Sequence, residues 1–156
     1  MRSADDVIEQ IEFEIGQIDH LLEVYADLLT RLQHKPPDAV EMAAVASVLH
    51  SFYNGLESIF FSVAKQIDGE VPGGPESHSM LLKRMMLPGR SRPSLLSQDN
   101  GSRLVDYLGF RHFYRHSYTF FLEWEKVGEL VSHLAEVWDQ VRGDIISFCR
   151  KFEHTP

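Results

Sequence analysis

The chain is expected to be all-α: an antiparallel up-and-down helical bundle of three long helices with one or two shorter ones. Three observations predict it. Apolar residues recur at alternating spacings of 3 and 4 along three separate stretches, the period of one helix face. Clusters of proline and glycine stand between those stretches. Strand-like alternation of apolar and polar residues occurs nowhere.

The first stripe runs through Ile8, Ile11, Ile15, Ile18, Leu22, Tyr25, Leu29 and Leu32, which predicts one helix of about eight turns. Ser3 or Asp5 can cap its start. Pro36-Pro37 forbids its continuation, because proline lacks the N–H and clashes with the preceding turn. The second stripe, at Met42, Val45, Leu49, Phe52, Leu56, Ile59 and Val63, starts after those prolines and ends before the Gly69 to Pro75 run. Ile59, Phe60, Phe61 and Val63 cover more than one face, as expected of a helix with neighbours on two sides or at a dimer interface. A short helix is predicted over Ser77 to Leu87, stopped by Pro88-Gly89. Arg90 to Asn100 reads as a polar, exposed loop. Another helix begins near Ser102 and carries Leu104, Tyr107, Leu108 and some or all of Arg111 to Tyr118. The last stripe joins Trp124, Val127, Val131, Leu134, Trp138, Val141, Ile145, Phe148 and Phe152. Stripes of this length can be buried only against one another, hence the bundle.

The 156 residues suit one domain, 1–156, that buries about two thirds of its unfolded surface. A hydrophobic share of 44% and a charged share of 24% are those of an ordinary water-soluble protein. Cys149 is the one cysteine, so no internal disulfide forms and a reducing compartment fits; it reads as a small core residue. No apolar core of a signal peptide follows the acidic N-terminus, and no apolar run approaches membrane-spanning length. The expectation is a cytoplasmic protein with no membrane partner.

A net charge of -8 argues at first against a polyanionic partner. From His78 to Tyr118, however, seven cations (Lys83, Arg84, Arg90, Arg92, Arg103, Arg111, Arg115) face two acids, a local +5 against -13 elsewhere. A positive region on an acidic body can recruit a polyanion to one place while discouraging general nucleic-acid binding. A basic loop paired with acidic neighbours gives the same count.

The densest chemistry lies in Arg111-His112-Phe113-Tyr114-Arg115-His116-Ser117-Tyr118. An arginine, four residues, a histidine, one residue and a tyrosine follow one another. The guanidinium fork fits phosphate, and histidine is the side chain best placed to move protons near neutrality. Together they can cut RNA without a metal. Histidine deprotonates a ribose 2′-OH or protonates the leaving 5′-oxygen, while arginine stabilises charge on phosphorus. On an uninterrupted helix Arg111 and His116 would point about 140° apart. Either the helix breaks within the run, or the site joins side chains of two copies. His112 and His116 stand four apart and could share a metal, but a third ligand would have to come from elsewhere and two arginines oppose a cation. No metal or other cofactor is expected.

This R-x4-H-x-Y run resembles the R-x4-6-H signature of the HEPN superfamily, and its tyrosine resembles the HepT-like toxins within it. Tyr53-Asn54-Gly55-Leu56-Glu57 resembles the polar patch on that family's second helix. His78-Ser79-Met80-Leu81-Leu82 is similar to a short-helix segment of HepT-like members. These landmarks cover the chain from Leu49 to Phe121. The resemblance implies a HEPN-like bundle and a homodimer whose two motifs meet in a cleft. Arg111 and His116 would be catalytic. His112, Arg115, Asn54 and Glu57 would assist or bind substrate, Glu57 by fixing Arg111 or His116 or by forming a structural salt bridge. In HepT-like toxins the tyrosine matching Tyr118 receives AMP from a partner nucleotidyltransferase, which silences the nuclease. In this chain Tyr118 could equally pack on Phe120 or Phe121.

Two functions of different class follow. One is a metal-independent endoribonuclease toxin acting on RNA and held by a small nucleotidyltransferase antitoxin. The other is a non-catalytic HEPN-like dimeric module that binds nucleotide or a protein partner in the same cleft.

Overall fold

A computed structural model describes residues 4–153, and among them there are helices and turns but no strand. Helix α1 (Ala4–Val24) buries Val7, Ile8, Ile11, Ile15 and Ile18. Asp5 and Asp6 occupy its first turn, where carboxylates oppose the positive end of the helix dipole. The other suggested cap, Ser3, lies outside the described residues. The expected eight-turn helix is bent at Tyr25 (φ -103°, ψ 14°) and resumes as α2 (Ala26–Arg31). The bend carries Leu28 and Leu32 onto the core, so the apolar stripe is followed although the axis is not straight.

Helix α3 (Ala39–Ser62) starts where the prolines release the chain. Asp38 accepts from the Glu41 N–H at 2.8 Å and Glu41 accepts from the Asp38 N–H at 3.1 Å. This reciprocal cap is worth about 1 kcal/mol. Its residues are buried on several sides, including Phe52, Tyr53, Leu56, Ile59 and Phe60, which makes α3 the central helix. It widens into a π-type turn, Val63–Asp68, and stops at Gly69, whose φ of 80° suits a residue without Cβ.

The middle of the chain departs from expectation. After α4 (Ser77–Met85), the stretch expected to be an exposed loop is exposed at Arg90, Ser91, Ser94, Ser97, Gln98 and Asp99 but turns three side chains inward. Arg92 is only 5% exposed, and Leu95 and Leu96 are each at 1%. The Arg92 guanidinium donates to both Asp68 carboxylate oxygens at 2.6 and 2.9 Å. It also donates to the carbonyls of Leu87 at 3.1 Å and Pro93 at 3.0 Å. A buried charge survives only when paired and fully bonded in this way. The Leu95 and Leu96 N–H groups both donate to the Met85 carbonyl, at 2.9 and 3.0 Å. Helix α5 (Gln98–Arg103) follows, capped by the Ser97 hydroxyl. Then come α6 (Val105–Arg115), a single 3₁₀ turn at Thr119–Phe121, and α7 (Trp124–Glu153).

The pairings fix the directions. Gln10 bonds Gln66, and Ile18 lies against Gly55, so α1 and α3 are antiparallel. Trp138 and Arg142 both donate to Asp19, while Glu12 lies along the same groove as Cys149. Helices α1 and α7 therefore also oppose each other. Tyr107 donates to the Leu130 carbonyl at 2.7 Å, and α6 returns antiparallel to α7. The up-and-down order is thus α1, α3, α6, α7, with short α6 as the fourth member and α3 and α7 parallel. One continuous apolar cluster joins all of them. No helix among the described residues is long and apolar enough to cross a membrane.

Candidate functional site

Helix α3 is buried around most of its circumference yet carries His50, Asn54 and Glu57 at spacings of four and three. That spacing draws a polar line on one face. Helix α6 lays Arg111 across it. The Arg111 side chain is 13% exposed, with Nε donating to Asn54 Oδ1 at 2.8 Å and Nη2 lying 3.6 Å from Glu57 Oε1. The second carboxylate oxygen, Glu57 Oε2, accepts from His78 Nδ1 at 2.7 Å. His78 stands in the first turn of α4, so α3, α4 and α6 meet at one carboxylate.

On the other side of Asn54, its Nδ2 is 3.0 Å from His50 Nε2. Arg111 can only donate, so Asn54 turns its oxygen to Arg111 and its NH₂ to His50. His50 Nε2 must then accept, and the ring proton is on Nδ1. That atom is buried without a partner. The ring rests on Tyr114, centroids 4.7 Å apart. Burial, then the Arg111 and Arg115 charges, hold His50 below its ordinary pKa, which fits the neutral form that Asn54 requires. Beside it, Tyr53 is fully buried, and burial first, then Glu57, push its hydroxyl pKa up.

His116 lies apart from this network. The α6 helix ends at Arg115, and His116 leaves it with φ -117° and ψ 11°. The run is therefore broken at its histidine. The His112 and His116 rings meet edge to face, centroids 5.0 Å apart, and both are exposed. None of the bonds of Arg111, Asn54 or Glu57 involves His116. Arg115 is exposed, and Tyr118 is 69% exposed with its ring stacked on Phe120 at 5.3 Å. Among the described residues no three of His, Cys, Asp and Glu are grouped to hold a metal.

The structure thus brings together Arg111, Asn54 and Glu57 and leaves His112, Arg115, His116 and Tyr118 on an open surface. Sequence reasoning missed His50 and gave His78 no role. His50 had a signal, a polar position one helical turn before Asn54 on an otherwise apolar helix. The local positive count also overstated what is free. Arg92 is neutralised by Asp68, Arg84 donates to the Glu70 carbonyl, and Arg103 lies between Gln140 and Glu136. Lys83, Arg90 and Arg115 form no ion pair among the described residues. Cys149 is a buried thiol whose pKa is pushed up to about 11 by burial, then by Glu12 and Glu153, a core residue as expected.

The polar line on the central helix thus faces the arginine of the R-x4-H-x-Y run, and the four-helix up-and-down bundle is consistent with a HEPN-like helical domain. The family model described as HepT-like protein matches residues 44–152. The chain belongs to that family. The match begins inside α3 and takes in the polar line, His78, the whole Arg111 to Tyr118 run and nearly all of α7. No curated protein matches the chain, and no solved structure does.

Proposed function

We propose that the protein is a metal-independent endoribonuclease of a toxin–antitoxin pair. The observation that carries this reading is Arg111, oriented in advance by Asn54 and Glu57, five residues before a histidine that the helix end has freed. A pre-set guanidinium loses little freedom on meeting a phosphate. In one chain it is remote from His116's bonds, which supports a site made by two copies. The exposed aromatic surface of Phe113, Tyr118, Phe120 and Phe121 supports a homodimer that joins there. In that arrangement a phosphodiester sits between two Arg111/His116 pairs, His116 moves protons, and the product is a 2′,3′-cyclic phosphate. Arg115 and His112, both exposed, help bind RNA.

Tyr118 is the proposed point of control. Its exposed ring lets a nucleotidyltransferase antitoxin attach AMP to the hydroxyl. The added anion then competes with RNA for Arg115 and Arg111. The test is cleavage of RNA in the presence of chelator by the parent chain, Arg111→Ala and His116→Ala. Loss in both variants supports the reading. Cleavage that survives either change, or that chelator abolishes, overturns it. The non-catalytic module, favoured by the partnering of Arg111 with Glu57, is the reading left if the parent chain binds RNA or nucleotide without cutting.

A further inference from the structure

The Glu57–His78 pair has no place in the reading above, yet it has the geometry of a proton-transfer dyad. Glu57 is 13% exposed and His78 is 44% exposed at the side chain. The carboxylate accepts from Nδ1 at 2.7 Å, which places the ring proton on Nδ1 and leaves the Nε2 lone pair for another proton. A carboxylate at Nδ1 also fixes the ring's tautomer and orientation. Nε2 has no protein partner among the described residues. On the other side of the same carboxylate lies Arg111, whose Nη1 is likewise unbonded among the described residues. One phosphodiester could therefore meet a guanidinium donor and an oriented imidazole from a single chain.

We propose that His78 is a further catalytic residue of this site, the base that removes the 2′ proton, with Glu57 as its positioning residue. The proposal rests on the nuclease reading. In-line cleavage needs a base at one side of phosphorus and an acid at the other. As O2′ attacks, its proton passes to His78 Nε2 and the O2′–P bond forms. The P–O5′ bond breaks, and O5′ takes a proton from the imidazolium of His116. Water then removes the proton from His78 and returns one to His116, so no net proton is consumed. Arg111 bears the charge on the non-bridging oxygens. The bland reading of the pair is a salt bridge that fixes α4 to α3.

The deciding variant is His78→Asn. Its amide NH₂ can still donate to Glu57 where Nδ1 did, but it cannot move a proton. Expected is a loss of about 10²–10⁴ in kcat, with KM nearly unchanged, unaltered thermal unfolding, and loss of the acid limb of the pH–kcat/KM profile. Glu57→Gln should give a smaller loss in kcat and shift that limb. If His78→Asn cleaves like the parent while His116→Ala is inactive, the proposal is overturned and the nuclease reading stands. If the parent chain cleaves nothing, the nuclease reading falls and proton transfer with it. Imidazole nitrogen NMR with the uncleavable dinucleotide dTpdT then judges the site itself. A shift at His78 Nε2 that is lost in Arg111→Ala supports a phosphodiester seat there, and no shift removes it.

Discussion

The two halves of the R-x4-H-x-Y run live in different environments. Arg111 is largely buried and bonded to α3, while five residues later His116 stands in solvent beyond the last turn of α6. The first belongs to the fold, and the second is presented by it. The difference teaches that a short motif need not be one structural unit. Its arginine is fixed by long-range partners 54 and 57 positions along the chain, its histidine by nothing more than the end of a helix and a neighbouring ring.

The sharpest break between the halves should appear when rate and stability are measured together. His116→Ala should lose about 10²–10⁴ in RNA cleavage and shift stability by no more than about 0.5 kcal/mol. Arg111→Ala should lose a comparable rate and, in addition, about 1–3 kcal/mol of stability, because Asn54 Oδ1 loses its donor and Glu57 one of its two cationic neighbours. Urea unfolding alongside a cleavage assay checks both. Equal stability in the two variants would mean that Arg111 is as loosely held as His116.

The presented half should also carry assembly. Phe120→Glu with Phe121→Glu should turn a dimer into a folded monomer. Light scattering over a range of concentrations reads this directly, and a parent chain already monomeric at tens of micromolar would sink the composite site. A narrower change, Tyr118→Phe, should leave assembly and most cleavage intact yet escape adenylylation. Intact mass after co-expression with a nucleotidyltransferase of the proposed antitoxin class reports it. An unmodified parent chain would leave Tyr118 as a ring stacked on Phe120.

The smallest effect concerns the built half. His50 is held below its ordinary pKa of 6.5, so below that pH the unfolded chain binds more protons than the folded one. Stability is complete above pH 6.5 and should decline as pH falls through the lowered folded value. The groups facing the ring are Asn54, Tyr114, Arg111 and Arg115. Protonation would set Nε2–H against the Asn54 NH₂, so Asn54 must turn and withdraw its oxygen from Arg111. His50→Gln supplies an acceptor that does not titrate and should flatten the decline in urea midpoints between about pH 5 and 7.5. A slope unchanged by that substitution would assign the effect to other groups.

The long helices were legible because their signals are local. The cap at Asp38 follows Pro36-Pro37, Gly69 stops the turn after α3, and the α7 stripe runs from Trp124 to Phe152 without a breaker. The meeting of Arg111 with Asn54 and Glu57 was anticipated through the resemblance of their runs. What failed was long-range. Arg92 looks like a loop cation until Asp68 is found 24 positions earlier. Leu95-Leu96 is too short to announce burial among serines and arginines. The bend at Tyr25 has neither proline nor glycine to mark it, and His78 gains meaning only from a carboxylate 21 residues away.

Arg92 has one more consequence. Its guanidinium reaches the carbonyls of Arg84 and Leu87 at the end of α4, as well as Pro93 and Asp68. A side chain from beyond the helix thus closes off α4's last turn. A stretch that composition would class as linker is tied at both edges, by Asp68 on the α3 side and by the Met85 carbonyl that receives Leu95 and Leu96. Local opening there has to break a buried ion pair and expose two leucines at once. The Leu95 and Leu96 amides should accordingly exchange with deuterium on the slow timescale of the helices. The rigidity of α4, and hence the aim of His78, is set from a residue fourteen positions downstream of it.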